Sequence, residues 1–236
     1  MNDIKALAFD TGGTILDWHT GFSTVLETLG KAQGLDADWT AVTNDFRRAS
    51  LRRMINLGEH EPPAYNFDGA HQAALDEILD KHGLGTLSPE QRRAVWWDTA
   101  HSLKCWPDFP PALLRYRQRY MCVSFTLLSV RLIMDTARRN NLHWDAVLSC
   151  ETFGKYKVLP EAYQRAAQLL QLEPAQICMV ACHNFDLDAA KAVGFKTAFV
   201  RRPLEWGPAG PPDPTPNPAH DYVADTFFEL AEELGA

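Results

Sequence analysis

Short apolar runs alternate with helical patterns along most of the chain. Residues 4–9 are apolar and lead directly into Asp-Thr-Gly-Gly-Thr, which predicts a buried strand followed by a glycine-rich turn. Four further strands are predicted at 121–126, 146–149, 177–181 and 197–200, and helices between them at 130–141, 160–171 and 186–193. Strands that alternate with helices predict a parallel sheet. Near the end, 221–223 and 226–234 suggest an edge strand and a last helix.

The stretch from about residue 20 to about residue 100 has helical periodicity only. Apolar residues recur there at spacings of three and four, in three groups: Phe22, Val25, Leu26 and Leu29; Val42, Phe46 and Ala49; Ala74, Leu75, Ile78 and Leu79. A fourth helix is predicted to begin at Ser88-Pro89-Glu90-Gln91, a capping box with proline at the first helical position. We therefore predict a core domain of residues 1–18 and 105–236 and a helical cap domain of residues 19–104. Because ligands bind beyond the carboxyl ends of parallel strands, this cap would cover Asp10.

Composition argues against nucleic acid and membrane lipid as binding partners. The chain has 236 residues, 22% of them charged, and a formal net charge of -7, so we expect no nucleic-acid partner. No apolar run approaches the roughly 18 residues of a membrane span. The five cysteines include no CxxC pair, and Cys178 and Cys182 have no His or Cys pair at metal-binding spacing. We therefore expect free thiols and a reducing, cytoplasmic location.

Four motifs occur in a characteristic order. They are FDTGGTILD around Asp10, MCVSFT ending at Thr126, YKVLPEAY with Lys157, and VACHNFDLDAAKAVGF with Asp186. In these motifs the chain resembles the haloacid dehalogenase superfamily and, within it, the type II 2-haloacid dehalogenases; VRRPLEWGP farther along is also similar. The resemblance implies an α/β fold, a Rossmann-like parallel sheet with an inserted all-helical cap of the C1 type. It also implies a hydrolase that cleaves the carbon–halogen bond of short 2-haloacids.

Asp10 is the nucleophile that the resemblance implies, and Gly12 narrows its chemistry. A carboxylate can attack carbon or phosphorus and form an ester or an acyl phosphate. The phosphatases of the superfamily have a second aspartate where this chain has Gly12, and that acid protonates the departing alkoxide. A halide leaves as a stable anion and needs no proton, so glycine here favours carbon–halogen cleavage. Thr11 and Gly12 would contact the substrate from the same loop.

The resemblance assigns roles to other residues of the motifs. Lys157 would stabilise the nucleophile, Asp186 would orient that lysine and activate water, and Thr126 would hydrogen-bond the substrate. Tyr163 and His183 would contact the substrate or position the water. The alternatives for these residues are a surface lysine, a core tyrosine and a structural histidine.

Arg47 is our candidate for the group that binds the substrate carboxylate, because guanidinium pairs with carboxylates in a fork. Arg48, Arg52 and Arg53 are competitors on the same predicted helix. Several large aromatic residues near the cap are further candidates for the walls of a halide pocket: Trp18, Trp39, Phe46, Trp96, Trp97 and Trp106.

Three positions depart from the family pattern: Gly12, Val158 in place of proline, and Leu127-Leu128 in place of an asparagine that follows the Ser/Thr. The leucines predict a more apolar site. Asp186 lacks the aspartate partner that Mg²⁺ would need, so we expect neither a catalytic metal nor a cofactor. Two alternatives remain at the level of the sequence. One is a related hydrolase for another small carboxylate or a phosphate, and the other is a degenerate protein that binds small carboxylates. The resemblance suggests a homodimer.

Overall fold

A six-stranded parallel sheet forms the centre of the described chain. The computed structural model describes residues 3–55, 66–211 and 214–236. The strands are β1 (Ala6–Phe9), β2 (Met121–Thr126), β3 (Ala146–Ser149), β4 (Ile177–Ala181), β5 (Lys196–Val200) and β6 (Tyr222–Ala224). Their order in the sheet is β3-β2-β1-β4-β5-β6, and every pairing is parallel. The predicted α/β class with a parallel sheet is confirmed.

Strand β1 lies between β2 and β4, and all four of its residues are buried. Phe9, its last residue, is in register with Ser124 of β2 and Val180 of β4. The carboxyl ends of these three strands therefore meet at one edge of the sheet. The loop that begins at Asp10 starts at this edge.

The segment after β1 is helical, as its periodicity predicts. It contains α1 (Trp18–Ala32), α2 (Trp39–Met54), α3 (Phe67–Lys81) and α4 (Pro89–Arg93), followed by a π-helical turn (Ala94–Thr99) and a 3₁₀ turn (Ala100–Ser102). Ser88 makes both hydrogen bonds of the predicted capping box. These helices form the inserted cap, while the domain limits at 18/19 and 104/105 stay predictions.

Six helices accompany the remaining strands in the described chain. They are α5 (Phe109–Tyr116), α6 (Val130–Arg139), α7 (Cys150–Phe153), α8 (Pro160–Leu170), α9 (Asn184–Ala192) and α10 (Phe227–Leu234). The predicted helices after β2, before β4 and after β4 correspond to α6, α8 and α9, and the predicted edge strand and last helix correspond to β6 and α10. Among the described residues, no helix combines the length and the apolar character that crossing a bilayer requires.

A buried polar cluster joins the cap to the core. His101 of the 3₁₀ turn lies 3.3 Å from Asp68 of α3 through Nε2 and 2.8 Å from Asp135 of α6 through Nδ1. Ser129, the N-cap of α6, donates to the other oxygen of Asp68 at 2.7 Å. The ring of Trp97 stacks on His101 with centroids 3.9 Å apart. Two carboxylates thus hold one histidine across the boundary between cap and core.

Candidate active site

Asp10 lies at the carboxyl end of β1 with its side chain almost entirely buried. Its backbone N–H donates to Val180, which fixes the residue to the end of the sheet. Thr14 donates to Oδ2 at 2.7 Å, and Lys157 Nζ lies 3.3 Å from Oδ1. Burial raises the pKa of Asp10, but the charge of Lys157 and a hydrogen bond from His183 outweigh burial and hold it well below its usual range. Asp10 is therefore a carboxylate at neutral pH.

Lys157 joins Asp10 to Asp186. Its ammonium group donates to Asp186 Oδ2 at 2.7 Å and is buried with both carboxylates. Burial lowers the pKa of Lys157, but Asp186 and Asp10 raise it above its usual value, so the ammonium stays charged. Burial raises the pKa of Asp186, and the opposing charge of Lys157 does not fully offset this.

Tyr163 contacts Asp186 and is itself fully buried. Its hydroxyl donates to Asp186 Oδ1 at 2.6 Å, and its ring packs edge-on against Phe125 at 5.3 Å. Both carboxylate oxygens of Asp186 therefore have donors, one from Lys157 and one from Tyr163. This environment agrees with the core-tyrosine alternative.

Thr126 ends β2 beside the loop of Asp10. Its hydroxyl lies 2.6 Å from the hydroxyl of Thr11 and accepts a hydrogen bond from the backbone N–H of Leu128 at 3.1 Å. The pair of hydroxyls ties the ends of β1 and β2 together. The side chains of Leu127 and Leu128 are buried beside it.

Arg47 reaches from cap helix α2 to the loop of the predicted nucleophile. Its Nη2 donates to the carbonyl oxygen of Gly12 at 3.0 Å, and its guanidinium lies over the ring of Trp18 at 5.3 Å. Its Nε is buried and has no hydrogen-bond partner among the described residues. A Cβ at position 12 would lie 2.9 Å from Nη2, so glycine there makes room for the arginine.

The competing arginines have other partners. Arg48 and Arg52 are more exposed and pair with Asp45 and Glu77, respectively. Arg53 also pairs with Glu77. Of the four arginines predicted on this helix, Arg47 is the one that the fold brings to Asp10.

His183 stands between two carboxylates. Its Nδ1 lies 3.4 Å from Asp10 Oδ2, and its Nε2 lies 3.0 Å from Glu205 Oε1 and 3.4 Å from Cys182 Sγ. Burial lowers the pKa of this ring, but the neighbouring Cys182, Glu205 and Asp10 raise it well above its usual value. Protonation of the imidazole is therefore favoured, because both of its nitrogens face carboxylates.

The sequence analysis missed Glu205. It follows β5 and is 5% exposed, and Trp18 Nε1 donates to its Oε1 at 3.2 Å. Gly13 permits this approach, because a Cβ at this position would overlap Glu205 Oε1. Its φ of +97° is also one that glycine adopts readily. The only sequence signal was the family-like stretch VRRPLEWGP, which contains Glu205 without showing what it contacts.

A cavity of about 50 Å³ lies between cap and core at the end of the sheet. Its lining residues come from both parts of the protein: Asp10, Gly12, Arg47, Leu51, Phe67, Thr126, Leu127, Leu128, Lys157, His183, Phe185, Asp186 and Trp206. Leu127 and Leu128 make the wall apolar, as predicted. The aromatic walls are Phe67, Phe185 and Trp206, which the sequence analysis did not single out. The predicted site residues meet around this cavity, with Thr11 and Tyr163 directly behind its lining.

Comparison with known proteins identifies the family of the chain. Residues 4–194 match the family model of haloacid dehalogenase-like hydrolases. The chain is 25% identical over 219 residues to (S)-2-haloacid dehalogenase 1 from Pseudomonas sp. (strain CBS-3), covering 86% of both chains. It is 24% identical over 208 residues to haloacetate dehalogenase H-2 from Moraxella sp. (strain B), covering 86% of this chain and 88% of that protein.

Solved structures extend the likeness to the whole fold. The crystal structure of a defluorinating L-2-haloacid dehalogenase superposes with a TM-score of 0.91 at 31% identity, covering 99% of this chain and 96% of that one. Another L-2-haloacid dehalogenase superposes with a TM-score of 0.88 at 29% identity, covering 98% and 99%. The superfamily resemblance read from the four motifs is confirmed. The chain belongs to the haloacid dehalogenase-like hydrolases, and the relatives named above are dehalogenases of 2-haloacids or haloacetate.

Proposed function

We propose that this protein hydrolyses the carbon–halogen bond of short 2-haloacids through a covalent ester on Asp10. The observation that carries the proposal is the pairing of Gly12 with Arg47. Where a phosphatase needs a second acid, this chain has a glycine whose space admits a cation instead. The names of the relatives described above, which are dehalogenases of haloacids or haloacetate, support the same class of substrate.

In the first step, an oxygen of Asp10 attacks the carbon that bears the halogen. A carbon–oxygen bond forms as the carbon–halogen bond breaks, the configuration at that carbon inverts, and the bonding electrons leave with the halide. No proton is transferred, so the absence of an acid at Gly12 does not slow this step. The low pKa of Asp10 supports the role, because the attacking group must be ionised.

Arg47 binds the substrate carboxylate in this proposal. Its buried Nε is a donor without a partner in the described chain, and leaving such a donor unpaired costs about 1–3 kcal/mol. A carboxylate in the cavity would satisfy it. The small cavity between Leu51, Phe67 and Trp206 supports a short-chain substrate.

In the second step, water attacks the acyl carbon of the Asp10 ester. Asp186 takes the proton, and the ester bond breaks to release a 2-hydroxyacid and restore the carboxylate. The raised pKa of Asp186 supports this role, since it makes the group a better base. Lys157 stabilises the negative charge on both carboxylates, and Tyr163 is a positioning residue for Asp186.

We further propose that the reaction needs no metal cofactor and takes place in the cytoplasm. Gly12 offers no side-chain ligand, and both oxygens of Asp186 accept hydrogen bonds from Lys157 and Tyr163. All five cysteines are free, which is typical of a reducing compartment.

A single turnover in ¹⁸O-labelled water tests the covalent step directly. With enzyme in excess over (S)-2-chloropropionate, the product oxygen comes from unlabelled Asp10, and the label then appears in Asp10. Mass spectrometry of the peptide containing residues 9–17 should show the label there, and the first product should lack it. Label that appears in the first product instead would mean that water attacks the substrate directly and would overturn the ester mechanism.

Chloride release from chloroacetate and from each enantiomer of 2-chloropropionate tests the reaction class. We expect release without added metal, and at least a 1,000-fold loss in Asp10→Asn, because the amide is a far weaker nucleophile. Asp17→Asn, in the same loop, is the matched control and should retain activity. Binding of these acids without chloride release would favour the degenerate binding protein, and turnover of phosphate esters would favour the other hydrolase class.

A further inference from the structure

Three side chains of different type converge beside the proposed catalytic cavity: the thiol of Cys182, the imidazole of His183 and the carboxylate of Glu205. The distances are 3.4 Å from Sγ to Nε2, 3.0 Å from Nε2 to Oε1 and 3.7 Å from Sγ to Oε2. One atom from each residue lies within 4.8 Å of the others. No step of the proposed hydrolysis uses Cys182.

We propose that Cys182, His183 and Glu205 form a binding site for Zn²⁺ or a similar thiophilic divalent cation, and that its occupation inhibits the enzyme. Tetrahedral zinc with sulfur, nitrogen and oxygen ligands has ligand–ligand edges of about 3.4 to 3.6 Å, from bond lengths of about 2.0 to 2.3 Å. The separation of 3.4 Å between Sγ and Nε2 matches these edges. The Glu205 carboxylate faces both atoms, with Oε1 3.0 Å from Nε2 and Oε2 3.7 Å from Sγ. Sulfur and imidazole ligands select zinc over Mg²⁺ or Ca²⁺, which prefer oxygen alone.

The orientation of His183 is the one that a metal ligand requires. Its Nε2 faces Cys182 and Glu205, while its Nδ1 faces Asp10 at 3.4 Å. Metal-binding histidines commonly donate their other N–H to a carboxylate, which fixes the ring and its tautomer. Asp10 would provide that support, and Trp18 Nε1 holds Glu205 from the opposite side.

An entry path leads to the same side chains. His183 and Glu205 line a second cavity of about 470 Å³ on the outer side of the site, together with Arg202, Pro203 and Trp206. A cation can therefore reach His183 and Glu205 from this cavity, and the buried thiol of Cys182 lies next to both. Three protein ligands leave the fourth position of a tetrahedron for water.

Binding would change the environment of Asp10. Coordination displaces the proton of the Cys182 thiol and the proton on His183 Nε2, both of which go to solvent. One Zn²⁺ replaces these two protons, so the net charge of the three side chains does not change. The metal instead fixes the imidazole with its Nδ1–H directed at Asp10 Oδ2, 3.4 Å away. A carboxylate oxygen held in this way is less free to attack, so the alkylation step slows. The inhibition rests on the proposed function, whereas the binding of the metal does not.

Titration with Zn²⁺ tests the binding by itself. Competition against a chromogenic zinc chelator should show one Zn²⁺ bound per chain. Cys182→Ala should weaken binding at least 10-fold, and Cys178→Ala, which removes another buried thiol four residues away, should leave it unchanged. A Co²⁺-loaded protein should show the near-ultraviolet thiolate charge-transfer band of a cysteine ligand, which Cys182→Ala abolishes. Absent binding, or binding and spectra that do not respond to Cys182→Ala, would overturn the site.

Inhibition of chloride release is the second readout. Wild-type protein should lose activity on addition of Zn²⁺ and regain it on addition of EDTA, and Cys178→Ala should behave in the same way. Cys182→Ala should resist the same Zn²⁺ concentration, relative to its own metal-free rate. If one Zn²⁺ binds through Cys182 without slowing turnover, the inhibitory role is wrong and the site stands. If the metal-free protein releases no chloride, the proposed function fails, and the titration still decides the metal site.

Discussion

Two histidines in the described part of the chain each lie between a pair of carboxylates. The two pairs of carboxylates differ in what else they contact. His183 bridges Asp10 and Glu205 at the substrate cavity. His101 bridges Asp68 and Asp135 where the cap meets the core. In both cases burial lowers the pKa of the ring while its neighbours raise it above the usual value. The local chemistry is nearly the same at the two places.

The two clusters differ in whether their carboxylates face the cavity or other side chains of the fold. Asp10 lines a cavity, and its carboxylate is the predicted nucleophile, so the charge on His183 bears on a reacting group. Asp68 accepts a hydrogen bond from Ser129, and Asp135 forms an ion pair with Arg131. The charge on His101 therefore stabilises the contact between the cap and the core. A histidine between two carboxylates is therefore not a sign of catalysis by itself. Neutralising one carboxylate in each cluster can distinguish a catalytic role from a structural one.

Among variants of the two clusters, the largest expected effect comes from removing the charge of Glu205. Glu205→Gln keeps the size of the side chain but no longer holds His183 protonated and aligned with Asp10. We expect kcat for chloride release to fall about 100-fold, the size expected from a small misplacement of catalytic groups. KM should change much less, because Arg47 still binds the substrate carboxylate.

Asp135→Asn is the matched control, since it neutralises one carboxylate beside His101. It should lower the melting temperature and leave kcat within about two-fold of wild type. If Glu205→Gln lowers stability with unchanged kcat, or if Asp135→Asn lowers kcat strongly, the division between the two clusters is wrong.

His101→Gln should have the next largest effect, on stability. The substitution removes the charge-assisted contacts to Asp68 and Asp135 and the stacking on Trp97. We expect the free energy of unfolding to fall by about 2 kcal/mol, from lost hydrogen bonds to charged groups. Chemical denaturation followed by circular dichroism measures this change.

His143→Gln offers a control for that experiment, because His143 is exposed on the loop before β3. It should leave stability within about 0.5 kcal/mol of wild type, as is usual for surface substitutions. Equal stability of the His101→Gln protein and wild type would show that the cluster does not hold the cap to the core.

A methyl group added at Gly12 should weaken substrate binding at the active site. In Gly12→Ala the new Cβ displaces the Arg47 guanidinium, which would otherwise lie 2.9 Å away. We expect KM for chloroacetate to rise about 10-fold, equivalent to about 1.4 kcal/mol of binding, with little change in melting temperature because a side-chain end can move. Gly85→Ala, where a Cβ makes an ordinary 3.5 Å contact with Asp80, is the control and should change neither quantity. An unchanged KM in Gly12→Ala would remove Arg47 from substrate binding.

The smallest effect is the pH dependence of stability at the cap–core cluster. The pKa of His101 is higher in the folded protein than its unfolded value of about 6.5. Its contribution is therefore complete below about pH 6.5 and declines as pH rises through the folded pKa. The difference in unfolding free energy between wild type and His101→Gln should shrink as pH is raised above 6.5. A difference that grows over this range would contradict a protonated His101 in the native cluster.

The sequence predicted most of the fold because the periodic signals were strong. The alternation of apolar runs and helical patterns after residue 105 gives the parallel sheet, and the unbroken helical spacing before it gives the cap. The four-residue α7 and the π-helical turn at 94–99 were not predicted, since such short or irregular turns depend on packing rather than on periodicity. Asp10, Thr126, Lys157 and Asp186 could be found because each belongs to a local motif.

Residues whose position depends on contacts distant in sequence were harder to place. Arg47 could be named from its helix but not distinguished from its neighbours, because four arginines share that helix and only the docking of the cap selects one. Glu205 could not be found, because its partners Trp18 and His183 are 187 and 22 residues away. The sequence likewise did not identify Phe67 and Trp206 as residues that line the cavity.

The sequence by itself determined which chemistry is available: a carboxylate after a buried strand, a lysine and an acid in family motifs, and a glycine where a proton donor would stand. Only the tertiary structure decided how these groups are charged and what surrounds them. It placed Arg47 in the space left by Gly12, and it brought Glu205 beside His183 and Cys182. The physical reason is that residue types and spacing follow from local backbone geometry. Burial and neighbouring charges, which set pKa values and metal-binding geometry, depend on segments that meet only when the sheet and the cap pack together.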